Sequence, residues 1–254
     1  MKIIFLGTGT STGVPLIGCH CEVCQSTDSK DHRLRSSVYI ETDFGNKIVI
    51  DTGPDFRTQM LNNHLEDVDA VFFTHNHKDH TAGLDDIRPI NHLLGKSIDV
   101  YAENYVQKTL RMEYPYIFNG EDYPGLPRIK MHDLSEAAFK FKQDEIIPIR
   151  VMHKTLPVLG FRIGDFTYIT DANFITDAEL QKIKGSKVFV INALRREPHY
   201  SHFNLQQALE IIEKVKPEHA YLTHIGHRLG LYAKVLNELP ADISLAYDGL
   251  QLEV

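Results

Sequence analysis

The chain has 254 residues, of which 43% are hydrophobic and 24% charged. That length and balance support a large buried core and exclude a disordered or fibrous chain. The formal net charge of −7 argues against nucleic acid as a partner, because a protein that grips a phosphate backbone presents a basic face. Short apolar runs recur in chain order at residues 3–6, 38–41, 47–51, 69–74 and 98–101, then at 146–152, 158–163, 166–170, 188–192 and 219–223. Each ends in a turn or a polar residue and reads as a strand. Gly45-Asn46 places a turn between the second and third. A final pair, residues 243–247 and 250–254, flanks Asp248-Gly249, the preferred dipeptide of a tight hairpin turn. Helices are predicted near residues 105–112, 177–183, 205–215 and 229–239. The third is the clearest, with Leu205, Ala208, Leu209, Ile211, Ile212 and Val215 on one face, Asn204 and Gln207 as its cap, and Pro217 as its stop. The mixture predicts an α/β chain of sheets covered by helices, expected to form one domain over residues 1–254.

Three strands share a plan. Phe72-Phe73-Thr74-His75, Tyr168-Ile169-Thr170-Asp171 and Tyr221-Leu222-Thr223-His224 each run from apolar residues into Thr and then into a metal-ligand type. A strand end fixes the backbone, so a ligand placed there is rigidly held. The first of them opens His75-Asn76-His77-Lys78-Asp79-His80, with four potential ligands inside six positions. Imidazole and carboxylate suit zinc, manganese or iron. Six neighbouring positions cannot complete two coordination spheres, and His153, Asp171 and His224, each at the end of a predicted strand, are the candidates to complete them. Asp51 reads as a residue that orients ligands rather than a ligand. Asp248 reads either the same way or as a turn residue.

Cys19, Cys21 and Cys24 are the three cysteines of the chain. An odd number crowded into six positions is not a disulfide framework, and points to a reducing compartment and a metal site. Three thiolates close a structural zinc site when a fourth ligand arrives, and His227, three residues beyond His224, is the candidate. Leu16-Ile17-Gly18-Cys19 imitates a lipoprotein cleavage box, but the preceding apolar run spans only residues 3–6, too little for a secretory signal. No segment approaches the roughly 20 apolar residues of a membrane span. A cytoplasmic location is expected. Gly7, Gly9 and Gly13 do not make a dinucleotide fingerprint, since the third glycine comes one residue late.

H-x-H-x-D-H after a strand, followed by distal His, Asp and His, resembles the metallo-β-lactamase superfamily along the whole chain. The resemblance implies a four-layer αββα sandwich. It implies His75, His77 and His153 on one metal, Asp79, His80 and His224 on the other, and Asp171 bridging. Gly7-Thr8-Gly9 and Asp51-Thr52-Gly53 match family loops near the site. The Gly-Cys-x-Cys-x-x-Cys loop with Thr-His-Ile-x-His further resembles the PhnP-type phosphodiesterases of phosphonate breakdown, which open cyclic ribose phosphates. Gly83-Leu84-Asp85-Asp86-Ile87-Arg88-Pro89, Ser201-His202-Phe203-Asn204-Leu205 and Tyr247-Asp248-Gly249 are similar to segments of that family. The PqqB proteins share a comparable cysteine loop but depart at the active-site ligands, which are intact here.

These implications define the expected chemistry. Two divalent metals, zinc or manganese, share a hydroxide that attacks phosphorus in a small phosphodiester, with Asp79 among the catalytic residues. His202 is the expected acid that protonates the leaving alkoxide. Arg88, Arg195 and Arg196 are candidates to contact substrate phosphate, though each alone reads as a surface or structural arginine; the short basic stretches at 33–35 and 195–196 are too small to read as more than surface or pocket charges. Residues 85–127 are expected to form much of the pocket, with the aromatic run Tyr114-Pro115-Tyr116-Ile117-Phe118 either lining it or packing as core or subunit interface. His20, His32, His64, His92, His132, His199 and His219 receive no role. A homodimer is compatible with the resemblance. Rival readings are a tRNA 3′-end endonuclease, a thioester hydrolase of the same fold, and a non-catalytic metal-binding carrier. The first normally carries a basic, glycine-rich arm absent from this sequence. The second lacks the cysteine site. The third does not account for seven intact ligand positions.

Overall fold

The computed structural model describes residues 1–119, 123 and 125–254. Its strands, in chain order, are β1 (Lys2–Gly7), β2 (Ser37–Glu41), β3 (Lys47–Ile50), β4 (Ala70–Phe72), β5 (Ile98–Ala102), β6 (Ile129–Asp133), β7 (Phe139–Phe141) and β8 (Asp144–His153). There follow β9 (Leu156–Ile163), β10 (Phe166–Tyr168), β11 (Phe174–Ile175), β12 (Val188–Asn192), β13 (His219–Thr223), β14 (Ile243–Leu245) and β15 (Gln251–Glu253). They form two sheets, one ordered β15-β1-β2-β3-β4-β5-β6 and the other β11-β8-β9-β10-β12-β13-β14, with β7 paired to β8.

The helices are α1 (Phe56–Asn62), α2 (Lys78–Thr81), α3 (Arg88–Leu94), α4 (Asn104–Glu113), α5 (Pro115–Phe118), α6 (Asp177–Ile183), α7 (Leu205–Val215) and α8 (Tyr232–Leu236). Three apolar clusters define the layers. Phe5, Ile40, Ile50 and Phe72 of the first sheet pack on Leu159, Phe161, Phe166 and Val190 of the second. The outer face of the first sheet packs on α1, α3 and α4 through Val49, Val71, Phe56, Ile90, Val106 and Leu110. The outer face of the second packs on α6, α7 and α8 through Phe189, Leu222, Leu180, Ile212 and Val235. The arrangement is the expected four-layer αββα sandwich.

Local chemistry explains several boundaries. Helix α7 begins and ends where its periodicity predicts, and both halves of the Asn204–Gln207 capping box form. The turn at Gly45-Asn46 joins β2 and β3 as an antiparallel pair. The hairpin predicted around Asp248-Gly249 does not exist. A turn is present, with Leu250 N donating to Tyr247 O at 3.0 Å, but β14 pairs with β13 in one sheet and β15 with β1 in the other. The Asp248 carboxylate accepts from Thr8 N, Thr8 Oγ1 and Leu34 N at 2.9, 2.8 and 2.6 Å, so it anchors the loop after β1. Arg33, from the short basic stretch at 33–35, is buried and donates to Thr8 Oγ1 and Ala246 O.

The two sheets are stitched where their strands end. Thr10 N donates to Ile225 O and Ile225 N to Thr8 O, joining the ends of β1 and β13. Leu159 N donates to Thr74 O, joining β9 to the loop after β4. The turn after β3 grips the segment after β4 in the same way: Thr52 N donates to His80 O and Gly83 N to Thr52 O. A Cβ on Gly53 would stand 2.1 Å from Asp79 O. Gly53→Ala must therefore push the 75–83 segment away. A cost of about 1–3 kcal/mol is expected, lowering Tm by roughly 3–10 °C in a thermal melt; an unchanged Tm would show that the two loops are not in essential contact.

Candidate metal centre

The candidate ligands all follow strand ends on one side of the sandwich. His75, His77, Asp79 and His80 lie after β4, His153 ends β8, Asp171 follows β10 and His224 follows β13. Asp51 and His224, which directly follow β3 and β13, and Asp171, three residues beyond the end of β10, have φ of +64°, +53° and +54°. Non-glycine residues pay for that left-handed conformation, and such strain collects at functional sites.

Asp79, His80, Asp171 and His224 each offer one ligand atom within 4.8 Å of the others. His80 Nε2 is 3.1 Å from both Asp79 Oδ2 and Asp171 Oδ2, and His224 Nδ1 is 3.1 Å from Asp171 Oδ2. Two ligands on a tetrahedral zinc with bonds of about 2.0–2.1 Å stand about 3.3 Å apart, so this spacing suits donors around one cation. On the other side of Asp171, the His75 ring lies 4.5 Å from that of His77 and 6.1 Å from that of His153, and His77 and His153 are 5.1 Å apart. His75 Nε2 and His80 Nε2 are buried without a hydrogen-bond partner. A buried polar atom left unpaired is costly, and two such nitrogens aimed among carboxylates fit a bound metal.

The electrostatics point the same way. Burial, reinforced by the neighbouring His80, holds His75 well below the ordinary histidine range, and burial with His153 lowers His77. Both present neutral lone pairs. Burial opposes ionisation of Asp171, yet His224 and His80 hold its carboxyl well below its usual value. Burial alone would also lower His80, but Asp79, Asp171 and Asp51 outweigh it and raise that ring strongly. Anionic carboxylates and the neutral rings of His75 and His77 suit a divalent cation, whereas His80 would have to give up its Nε2 proton to bind one.

Asp51 takes the orienting position expected of it. Its Oδ2 accepts from His80 Nδ1 at 2.6 Å and from Thr74 Oγ1 at 2.8 Å, and its Oδ1 from Thr74 N at 2.8 Å. Ser36 Oγ stands 3.1 Å from His224 Nδ1 and Ser201 O 2.8 Å from His153 Nδ1.

A cavity of about 310 Å³ opens over these residues, lined by Thr10, Ser11, His77, Asp79, His153 and Asp171, with Leu194 and residues 199–202 on the facing wall. His202 is buried there, its Nδ1 3.8 Å from Asp171 Oδ1 and without a hydrogen bond. His199, assigned no role from the sequence, is on the same wall, its ring 5.1 Å from that of His202. Thr10, Ser11, Tyr200 and Ser201 were also missed. They sit in irregular loops that carry no periodic signal, and only their place in the fold brings them to the cleft.

Residues 85–127 do not supply the cavity wall among the described residues; residues 120–122 and 124 of that span lie outside them. Tyr114 and Phe118 pack instead on the outer core of the first sheet, and Tyr114 Oη donates to Thr81 O. None of the three candidate arginines lines this cleft. Arg88 pairs with Asp85 at 2.9 Å, Arg196 with Glu238 at 2.8 Å, and Arg195 donates to the carbonyls of Glu197 and Pro198. Arg88 and Arg196 are thus surface ion pairs.

Cys19, Cys21, Cys24 and His227 form a second group, with the three Sγ atoms 3.3, 3.4 and 3.5 Å from His227 Nδ1. Bonds of about 2.3 Å to sulfur and about 2.0 Å to nitrogen put tetrahedral donors about 3.5 Å apart, which these distances match. Leu16 N donates to Cys24 Sγ, as suits a thiolate. His227 and His224 share one loop, so the cysteine group braces the first centre.

Asp51→Asn removes the charge that orients His80, and metal affinity at the first centre should fall about 10–100-fold in chelator competition. Cys21→Ser should release one zinc per chain by elemental analysis and leave the first centre loaded. Retention of all the metal by both variants would contradict these assignments.

Residues 46–225 match the Beta-lactamase superfamily domain. The chain is 40% identical over 253 residues to a Porphyromonas gingivalis protein named Octanoyltransferase, covering 99% of this chain and 51% of that protein. It therefore spans about half the length of that relative. It is 30% identical over 97 residues to a Coenzyme PQQ synthesis protein B of Methylobacterium radiotolerans, covering 33% of this chain and 32% of that one. The crystal structure of a diphosphatase from the PhnP family superposes with a TM-score of 0.92 and 38% identity over 100% of this chain and 97% of that chain. Zinc-bound PqqB from Methylobacterium extorquens superposes with a TM-score of 0.82 over the full length of both chains at 17% identity, a likeness of fold. With its two-sheet sandwich and its strand-end cluster of histidines and aspartates, the chain belongs to the metallo-β-lactamase superfamily and is PhnP-like within it.

Proposed function

We propose that the protein is a metal-dependent phosphodiesterase acting on small substrates, cyclic ribose phosphates among them. The observation that carries this reading is the cleft itself: seven ligand-type side chains converge beneath a cavity of about 310 Å³ whose walls are hydroxyl, imidazole and carboxylate groups, with Leu194 the one aliphatic side chain among its described lining residues. That volume suits a small molecule. Its polarity suits a phosphate ester and offers no apolar channel for an acyl tail. The name Octanoyltransferase belongs to a relative about twice as long, and the cleft gives it no support here. The PhnP-family diphosphatase shares nearly the whole fold.

In this reading His75, His77, Asp79, His80, His153, Asp171 and His224 would hold two divalent metals, and the cysteine group would hold a structural zinc. Such a metal pair supplies an activated water at neutral pH and positive charge beside the phosphate oxygens. The chain's own groups position the ester. Thr10 and Ser11 face it from the loop after β1, and Ser201, His199 and His202 from the loop before α7. Burial, with His224 adding to it, pushes His202 down to about 3, so the ring is neutral at pH 7. An anionic phosphate lying against it raises its proton affinity, so His202 takes up a proton from solvent as the substrate binds and can then donate it. The leaving oxygen takes that proton.

Bis(p-nitrophenyl) phosphate should be hydrolysed by the metal-loaded chain. His202→Ala should lower kcat about 10²–10⁴-fold with metal content intact, and Asp171→Ala should lose both metal and turnover. Turnover of an acyl thioester in place of the phosphodiester would replace this reading with the thioester hydrolase.

A further inference from the structure

The fold encloses its two donor groups differently. His75, His80, Asp171 and His224 are buried, whereas Cys19, Cys21, Cys24 and His227 are each partly exposed. The buried donors follow strand ends. The cysteines lie on an irregular loop, residues 16–25, where Ile17 stands almost wholly in solvent. Few polar contacts tie that loop to the rest of the chain. Among the described residues, apart from the turn into Ser26, they are the contacts of the three thiols with His227 and the exposed Glu22–Lys234 pair at 3.0 Å. Val23 adds one buried apolar side chain. An exposed ion pair contributes little, so the four-donor group is the loop's main anchor.

Cys21 and Cys24 are placed to react with each other. Gln25 N donates to Cys21 O at 3.0 Å, closing a turn that contains both cysteines. The first and fourth residues of a turn have Cα atoms less than about 7 Å apart, and a disulfide needs roughly 4.4–6.8 Å. The ligand atoms of the group lie within 4.8 Å of one another. Cys19 stands outside that turn. We propose that Cys21 and Cys24 form a thiol-modification site, oxidised to a disulfide by small disulfides such as oxidised glutathione. One of the two thiolates attacks a sulfur of the reagent and releases a small thiolate. The other attacks the resulting mixed disulfide and releases the second. Two thiolates of the chain lose two electrons, the S–S bond of the reagent takes them up, and two protons from solvent complete the small thiols. Cys19 and His227 then remain, two of the four donors that a closed zinc site needs, so the cation passes to water. The first centre is buried and holds no sulfur, so the same reagent leaves it loaded. The inference rests on the structural zinc proposed above and is independent of the phosphodiesterase reading.

The test needs no turnover. The zinc-loaded chain is incubated with oxidised glutathione, and with reduced glutathione as the control. Released zinc is followed with a chromogenic chelator, and the products are mapped by peptide mass spectrometry. Zinc from the cysteine group should leave at least about tenfold faster in the oxidised reagent, with a Cys21–Cys24 disulfide as the product. Amide hydrogen exchange should rise over residues 16–25, and elemental analysis should find the first centre still loaded. Dithiothreitol with added zinc should reverse the change. Cys19→Ser, which keeps both partners, should still form the disulfide, whereas Cys24→Ser should stop at a mixed disulfide on Cys21. Zinc retained until the chain unfolds, a disulfide that uses Cys19, or a mixed disulfide as the final product in the wild type overturns the proposal. A chain that holds no zinc in this group fails the zinc reading, and the mapped disulfide alone then decides the thiol pair.

Discussion

The contact between the Asp51 carboxylate and His80 Nδ1, 2.6 Å long and fully buried, is the hinge on which the site depends. A carboxylate taken out of water needs compensation. Asp51 finds it in His80 and in two donors from Thr74. Those bonds tie the end of β3 to the loop after β4 and turn Nε2 of His80 toward Asp79 and Asp171. Burial pushes the Asp51 carboxyl upward while His80 pulls it down. The ligand loop is thus held by a charge that the first sheet carries at its own strand end.

A similar logic spans both sheets. Thr8, Thr10 and Ile225 stitch the end of β1 to the end of β13, and Asp248 and buried Arg33 hold the stitch from behind. Left-handed backbone at Asp51, Asp171 and His224 is tolerated because these contacts over-determine it. The cysteine group continues the scheme outward, since His227 is three residues from His224. A rigid shell of this kind holds anionic and imidazole donors close together despite their mutual repulsion, which is what a metal centre requires of its scaffold.

The chemistry then follows from what the shell leaves open. The cleft is small and polar, and no arginine enters it among the described residues. Under the proposed phosphodiesterase reading, positive charge over a bound phosphate would come from the metals.

By itself, the sequence determined the elements whose cause is local. Helix α7 with its capping box, the β2–β3 turn, the ligand cluster from His75 to His80, and the strand-end placement of Asp171 and His224 were legible because periodicity, cap chemistry and ligand spacing act over a few residues. Cys19, Cys21 and Cys24 stood out as a candidate metal group for the same reason, with His227 offered as fourth member by its place three residues beyond His224. Only the tertiary structure decided the rest. Asp248-Gly249 has the chemistry of a hairpin, but pairing is a long-range choice, and β14 and β15 went to different sheets. Arg88 and Arg196 have the right charge for phosphate, yet nearby carboxylates claimed them. Residues 85–119 carry the aromatics of a pocket, but the outer helical layer absorbed them. His199 has no periodic neighbour to mark it and is brought to the cleft by the loop before α7. Which side chains face a shared cavity depends on how distant strands stack, and no local rule encodes that.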